Sequence, residues 1–172
     1  MGYALEFKEG SQRRVRLLVD REGCMDIGDE AVKKDSGEDS GRDAKPVRVC
    51  VSRERTDAKD RMLYHKTTDR RFYQEAFKVA VNQGFADVLF MNQRGEVTEG
   101  AVSNVFIEKD GRWLTPPVES GLLAGVYRRY LLETRALVEE RVLYPEDLRR
   151  ADGVYVSNAV RGLRKVEIDW EE

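Results

Sequence analysis

At 172 residues the chain has the length of one domain with a real core and is short for a two-domain enzyme. Apolar residues make up 41% and charged residues 36%, and the net charge is -2 with both signs mixed, which predicts a folded protein and argues against nucleic acid or an anionic membrane as a partner. Two cysteines without CxxC spacing and a single histidine argue against a metal site and a disulfide framework.

The first part of the chain alternates strand-like and polar segments. Residues 14–20 are typical of a strand, residues 21–23 supply a turn, and a second strand is predicted at residues 47–52. Between the strands, residues 29–45 are rich in serine, glycine and charge, which predicts a solvated and mobile loop. A second polar stretch follows at residues 53–61.

From residue 68 onward the sequence predicts helices among strands. A helix is predicted from Thr68 to Gly84, because capping residues at positions 67–69 precede apolar residues at helical spacing. A second helix is predicted after the glycine-flanked loop 121–125, and a short third one after Pro145. The predicted strands cover residues 86–91, 96–99, 104–108, 113–115, 153–156 and 163–168. This order predicts an α+β fold with mixed sheets.

Four features of the sequence could carry chemistry. Lys66 follows a short apolar and aromatic segment and precedes a predicted helix start. Partial desolvation there would favour a neutral amine that can form a Schiff base. A surface lysine is the common alternative. Glu99, at a strand end, could pair with a protonated ring nitrogen or face solvent. The loop 121–125 could cradle a phosphate or simply lead into a helix. Ser157 and Asn158 could bind an anion or form a turn.

Four segments, taken in order, resemble one known family. They are HKTTDRRFYQEA at residues 65–76, GEVTEGAVSNVFI at 95–107, TPPVESGLLAGVYRR at 115–129 and SNAVRGLRKV at 157–166. Together they resemble the class IV aminotransferases, also called the fold-type IV pyridoxal-phosphate enzymes, over roughly residues 14–168. Within that family the sequence pattern is most similar to the 4-amino-4-deoxychorismate lyases, and the branched-chain and D-amino-acid aminotransferases are more distant.

The resemblance implies a D-amino-acid aminotransferase-like fold. It implies mainly the larger C-terminal domain, with mixed sheets and packed helices, and most of the small N-terminal domain absent. Residues 1–61 would then be a remnant of the small domain and a polar connection, and residues 62–172 the cofactor-binding domain. Relative to the family, residues 29–45 are an insertion, and Asp69 stands where relatives often carry asparagine.

The resemblance also implies pyridoxal 5'-phosphate as the cofactor. Lys66 would carry it as a Schiff base and move the proton at the substrate α-carbon, and Glu99 would pair with the pyridine nitrogen. The other cofactor-binding positions implied by the motifs are Ser103, Asn104, Leu123, Val126, Tyr127, Asn158 and Ala159.

The implied activity is a lyase that eliminates pyruvate from 4-amino-4-deoxychorismate and yields p-aminobenzoate for folate biosynthesis. A branched-chain or D-amino-acid aminotransferase shares the first steps and stays open, as does a truncated homologue without catalysis. The implied partners are a small amino substrate and a second copy in a homodimer. Because no basic leader and no apolar segment near the roughly 20 residues of a membrane span is visible, we expect a cytoplasmic protein.

Overall fold

The computed structural model describes residues 12–32 and 45–170. The chain divides into two compact units, Met1–Glu38 and Asp39–Glu172. Of the loop predicted at residues 29–45, residues 33–44 lie outside the described residues, and residues 29–31 belong to a strand instead. No helix among the described residues is both long enough and apolar enough to cross a bilayer.

The first unit contains an antiparallel hairpin of β1 (Arg13–Val19) and β2 (Met25–Ala31). The turn is held by Asp20, whose carboxylate accepts hydrogen bonds from the backbone N–H of Glu22 at 3.0 Å and of Cys24 at 2.8 Å. The sequence predicted β1 but not β2, because a glycine and three acidic residues mask the apolar alternation of the second strand.

The second unit is built on one eight-stranded sheet. Its strands are β3 (Val47–Thr56), β4 (Asp87–Asn92), β5 (Val97–Gly100), β6 (Asn104–Lys109), β7 (Arg112–Thr115), β8 (Val138–Glu140), β9 (Gly153–Asn158) and β10 (Gly162–Asp169). They lie in the order β5-β4-β3-β10-β9-β6-β7-β8, and β5 also pairs with β6. Six strands therefore form a closed ring, which β7 and β8 extend. Since β3 runs parallel to β4 and β10 while most other pairs are antiparallel, the sheet is mixed, as predicted.

Within residues 45–170 the sheet is accompanied by three α-helices: α1 (Arg71–Asn82), α2 (Val126–Thr134) and α3 (Pro145–Arg149). Two short 3-10 turns, Arg61–Tyr64 and Val118–Ser120, precede the first two helices.

The core uses both faces of the sheet. Alternate residues of β4 show the division: Leu89 and Met91 pack with apolar residues of the other strands, whereas Val88 and Phe90 pack against α1 through Tyr73. A strand covered on both faces buries every side chain, as β4 does. A third cluster joins α2 to the sheet; it consists of Phe106, Trp113, Leu131 and Tyr155.

The predicted start of α1 was wrong by three residues. The helix begins at Arg71, and its N-cap, Arg70, makes no capping hydrogen bond through its side chain. The Thr67 hydroxyl donates to the backbone oxygen of Asp69 at 3.4 Å, and the Asp69 carboxylate accepts from the Arg71 side chain at 3.4 Å. These local bonds compete with capping, so residues 65–70 remain outside the helix.

One strand of the eight-stranded sheet comes from the segment before residue 62. β3, within the segment 1–61 assigned to a remnant and a connection, lies between β4 and β10 in the second unit. The helix predicted after the loop 121–125 is α2, in which Leu131 is buried while Val126 and Tyr130 are exposed.

Candidate active site

A cavity of about 260 Å³ lies where the β5–β6 turn, the end of β9 and the start of α2 meet. Every residue that the motifs selected lines this cavity: Lys66, Glu99, Ser103, Asn104, Leu123, Val126, Tyr127, Asn158 and Ala159. The fold thus brings together four segments that are far apart in sequence. The cavity is slightly smaller than the roughly 300–1,000 Å³ typical of ligand sites and suits one small ligand.

Strand pairing sets the position of Glu99. It lies opposite Asn104 where β5 pairs with β6. The Asn104 side-chain amide donates to the backbone oxygen of Leu123 at 2.9 Å, and the Leu123 N–H donates to Glu99 Oε2 at 3.1 Å. A Cβ on Gly125 would overlap Asn104 Oδ1, so a glycine lets the loop approach the strands this closely.

The Glu99 carboxylate is buried in the cavity wall, with 3% of the residue exposed. Its Oε1 accepts a hydrogen bond from Nη2 of Arg70 at 2.8 Å. Burial raises the pKa of Glu99 to about 7, and the positive charge of Arg70 is the largest opposing influence. A carboxylate offers about four acceptor positions; Arg70 and Leu123 donate to two of them and the Tyr73 hydroxyl lies close by, so the group can accept a further donor from the cavity.

Arg70 is a cavity residue that the motifs did not select. It lines the cavity, and its guanidinium lies over the ring of Tyr73, 4.3 Å from the ring centroid. Two consecutive arginines occupy this part of the motif, and only the first is turned into the cavity, whereas the Arg71 side chain is 82% exposed. The sequence offered no signal to separate them, because both lie outside the predicted apolar face of the helix.

Lys66 lies in the segment between the 3-10 turn Arg61–Tyr64 and α1. Lys66 borders the same cavity as Glu99, but it is exposed and not partly desolvated as the sequence predicted. The exposed residue Lys66 and the buried residue Glu99 thus line one small space, an arrangement that suits a flat, polar ring with a reactive carbonyl group.

The start of α2 presents hydrogen-bond donors at the cavity. Its N-cap, Gly125, has no side-chain capping bond, so the N–H groups of the first turn, from Val126 and Tyr127 onward, have no capping side chain as a partner. The buried hydroxyl of Ser157 lines the same cavity and has no hydrogen-bond partner among the described residues. Unsatisfied donors at the positive end of a helix dipole fit a phosphate group.

A buried carboxylate supports the turn between β5 and β6. Asp87 accepts hydrogen bonds from the Ser103 hydroxyl and from the N–H of Val88, the latter at 2.8 Å. Burial raises the pKa of Asp87 to about 6. The Ser103 hydroxyl is thus used to hold the cavity wall. Asn158, at the end of β9, also holds the cavity wall, because its side-chain amide donates a hydrogen bond to the backbone oxygen of Val102 at 3.3 Å.

Proteins of known structure and sequence share this architecture. The fold matches a candidate amino-acid aminotransferase from Mesorhizobium loti with a TM-score of 0.82 and 31% identity, covering 91% of this chain and 73% of that one. A candidate aminodeoxychorismate lyase from Schizosaccharomyces pombe is 34% identical over 105 residues, which are 59% of this chain and 46% of the relative. A candidate branched-chain-amino-acid aminotransferase from Thermotoga maritima is 36% identical over 81 residues, which are 45% of this chain and 30% of the relative. The chain spans less than half the length of these two relatives.

The sequence model of the class IV aminotransferases matches residues 11–168. The chain belongs to this family, whose members are enzymes that use pyridoxal phosphate. The family and the α+β fold that the sequence predicted are therefore confirmed.

Proposed function

We propose that this chain supplies the pyridoxal-phosphate site of an aminodeoxychorismate lyase, with Asp39–Glu172 as the cofactor-binding unit. The observation that carries the proposal is the single cavity shared by Lys66, Glu99 and the start of α2. It offers an amine for the cofactor's aldehyde, a carboxylate for its ring nitrogen and unsatisfied donors for its phosphate. These are the three chemical groups by which a protein can hold and orient this cofactor.

The bound cofactor supplies an electron sink for charge that develops at the substrate α-carbon. Lys66 would hold the cofactor covalently and, once a substrate amine has displaced it, would accept the α-proton as a general base. Glu99 would accept a hydrogen bond from the protonated ring nitrogen and keep that proton in place. Val126, Tyr127 and Ser157 would fix the phosphate, which sets the orientation of the whole ring.

The choice of a lyase rests on the similarity to the candidate aminodeoxychorismate lyase of S. pombe, which spans more of the chain than the similarity to the T. maritima aminotransferase. A branched-chain or D-amino-acid aminotransferase is the second candidate. Both reactions begin with removal of the α-proton. They would differ afterwards: a lyase would expel the enolpyruvyl group of the substrate, which takes up a proton and becomes pyruvate, whereas an aminotransferase would transfer the amino group to a keto acid.

The cofactor site is tested by reaction with pyridoxal phosphate, reduction with borohydride and peptide mapping. We expect the label on Lys66 and its loss in Lys66→Ala. Lys78→Ala is the matched control, because Lys78 is an exposed lysine of α1 that does not line the cavity. A label on another lysine, or an equal label in Lys66→Ala, would contradict the proposal.

The activity is tested separately by supplying 4-amino-4-deoxychorismate and, in parallel, branched-chain and D-amino acids with a keto acid. The lyase proposal expects pyruvate and p-aminobenzoate in equal amounts and no amino-group transfer. Transfer without pyruvate release would favour the aminotransferase. Labelling of Lys66 with neither activity would favour a cofactor-binding homologue without catalysis.

The proposed setting is a cytoplasmic homodimer in folate biosynthesis. Light scattering of the purified chain tests the dimer, and a monomer at micromolar concentration would contradict that part of the proposal.

A further inference from the structure

Glu99 and Arg70 form a buried ion pair beside Lys66. The side chains of Arg70 and Glu99 are 11% and 4% exposed, and Nη2 lies 2.8 Å from Oε1. A buried carboxylate without a cation becomes protonated, because the charged form loses its hydration. The charge of Glu99 therefore depends on the cation that remains next to it.

The pair is held in one geometry from several sides. The ring of Tyr73 lies under the guanidinium, and the Leu123 N–H donates to the second oxygen of Glu99 at 3.1 Å. Burial raises the pKa of the Tyr73 hydroxyl, so that group adds no negative charge near neutral pH. Lys66 and Arg70 are the cationic side chains among the described residues that line the cavity, and Arg70 is the one bonded to Glu99.

We propose that Arg70 is a positioning residue that keeps the Glu99 carboxylate ionised and turned toward the cavity. The ionised carboxylate would then accept a hydrogen bond from a protonated ring nitrogen, and this step rests on the proposed function. The effect of Arg70 on the charge of Glu99 does not, since it exists in the cofactor-free protein.

Removal of the guanidinium should change the chemical nature of Glu99. In Arg70→Gln the pKa of Glu99, already raised to about 7 by burial, rises further because the largest opposing influence is lost. At neutral pH the group would then be a neutral acid and a poorer acceptor for a cationic ring. Arg70→Lys retains a charge but loses the planar fork and the contact with Tyr73, so it should give an intermediate value.

The first measurement uses the cofactor-free protein. Carbon-13 labelled glutamate is titrated by NMR, and the Glu99 signal is assigned by its absence in Glu99→Gln. We expect the midpoint of Glu99 to rise by at least about one pH unit in Arg70→Gln. Arg71→Gln is the matched control, because Arg71 is the adjacent, exposed arginine and does not line the cavity. An unchanged midpoint in Arg70→Gln would overturn the inference.

The second measurement is the affinity for pyridoxal phosphate between pH 6 and pH 9. We expect Arg70→Gln to bind pyridoxal phosphate about tenfold more weakly than the wild type near pH 7.5. The difference in affinity should become smaller at pH values where Glu99 carries the same charge in both proteins. Arg71→Gln should match the wild type. If Arg70→Gln does not fold, Arg70→Lys provides the same comparison with a smaller displacement, and a wild-type midpoint in that folded variant would overturn the inference.

The two measurements separate the two ideas. A displaced Glu99 midpoint with no cofactor binding by the wild type would support the role of Arg70 and contradict the proposed function. Labelling of Lys66 together with an unchanged titration midpoint of Glu99 in Arg70→Gln would support the proposed function and contradict the role of Arg70.

Discussion

Glu99 and Asn104 face each other across β5 and β6, and their pairing links the two ends of the six-stranded ring. The same two residues form part of the cavity wall, where Glu99 accepts a hydrogen bond from the Leu123 N–H and the Asn104 side chain donates one to the Leu123 backbone oxygen. The place where the sheet closes is therefore also the place where the loop leading to α2 is fixed. Changes at this point should affect both folding and ligand binding.

The bond from Ser103 to Asp87 should contribute measurably to stability. Ser103→Ala leaves a buried carboxylate without its hydroxyl donor, and we expect a loss of about 1–3 kcal/mol in the free energy of unfolding at pH 8, where Asp87 is charged. Urea denaturation measures the loss. A change within about 0.5 kcal/mol of the wild type would show that the bond does not hold the turn.

Ser157 should behave in the opposite way. Its buried hydroxyl has no partner among the described residues, so Ser157→Ala should leave the stability of the cofactor-free protein within about 0.5 kcal/mol of the wild type. The same change should weaken binding of pyridoxal phosphate about tenfold, because a bond to a charged phosphate is lost. Calorimetric titration tests this, with pyridoxal, which lacks the phosphate, as the control ligand. Equal loss for both ligands would contradict an anion site at Ser157.

Stability should depend on pH through Glu99. In the folded protein the pKa of Glu99 is about 7, above the ordinary value of 4.5. Between these two pH values the folded protein keeps the proton on Glu99, whereas the unfolded chain has released it. The stability that this group contributes is present below about pH 4.5 and is lost as the pH rises to about 7. Relative to Glu99→Gln, the wild type should lose on the order of 3 kcal/mol between pH 4 and pH 8. Parallel stability curves for the two proteins would contradict the raised pKa.

The close approach of Gly125 to Asn104 provides a steric test. Gly125→Ala puts a methyl group against Asn104 Oδ1, which should displace the loop and cost about 1–3 kcal/mol of stability. Cofactor affinity should fall as well, because the start of α2 moves. Gly28→Ala is the control, since nothing lies within 4 Å of a Cβ built at Gly28. An equal effect of the two substitutions would show that the loop has room to adjust.

The sequence predicted the residues that belong to motifs and missed those that act through a neighbour. Lys66 and Glu99 stand at recognisable positions, so the resemblance located both. Asp87 was missed, because an acidic residue at a strand start looks the same in sequence whether it faces solvent or holds a buried turn. Arg70 was missed since its role depends on which of two arginines is turned inward, and that is decided by the start of α1 three residues later than the capping pattern predicts.

The strands also differ in whether their own sequence or their pairing with a distant strand determines them. β4 contains a continuous apolar run at residues 88–91 and was predicted within one residue at each end. β8 has three residues, two of them glutamates, and exists because it pairs with β7. No local pattern could indicate that pairing.

The central claim, that Lys66 and Glu99 hold one cofactor between them, is tested most directly by a crystal structure of the protein grown with pyridoxal phosphate. We expect electron density continuous with Lys66 Nζ, a ring nitrogen within hydrogen-bonding distance of the Glu99 carboxylate and the phosphate at the start of α2. A cofactor attached to a different lysine, or a ring nitrogen that faces away from Glu99, would contradict it.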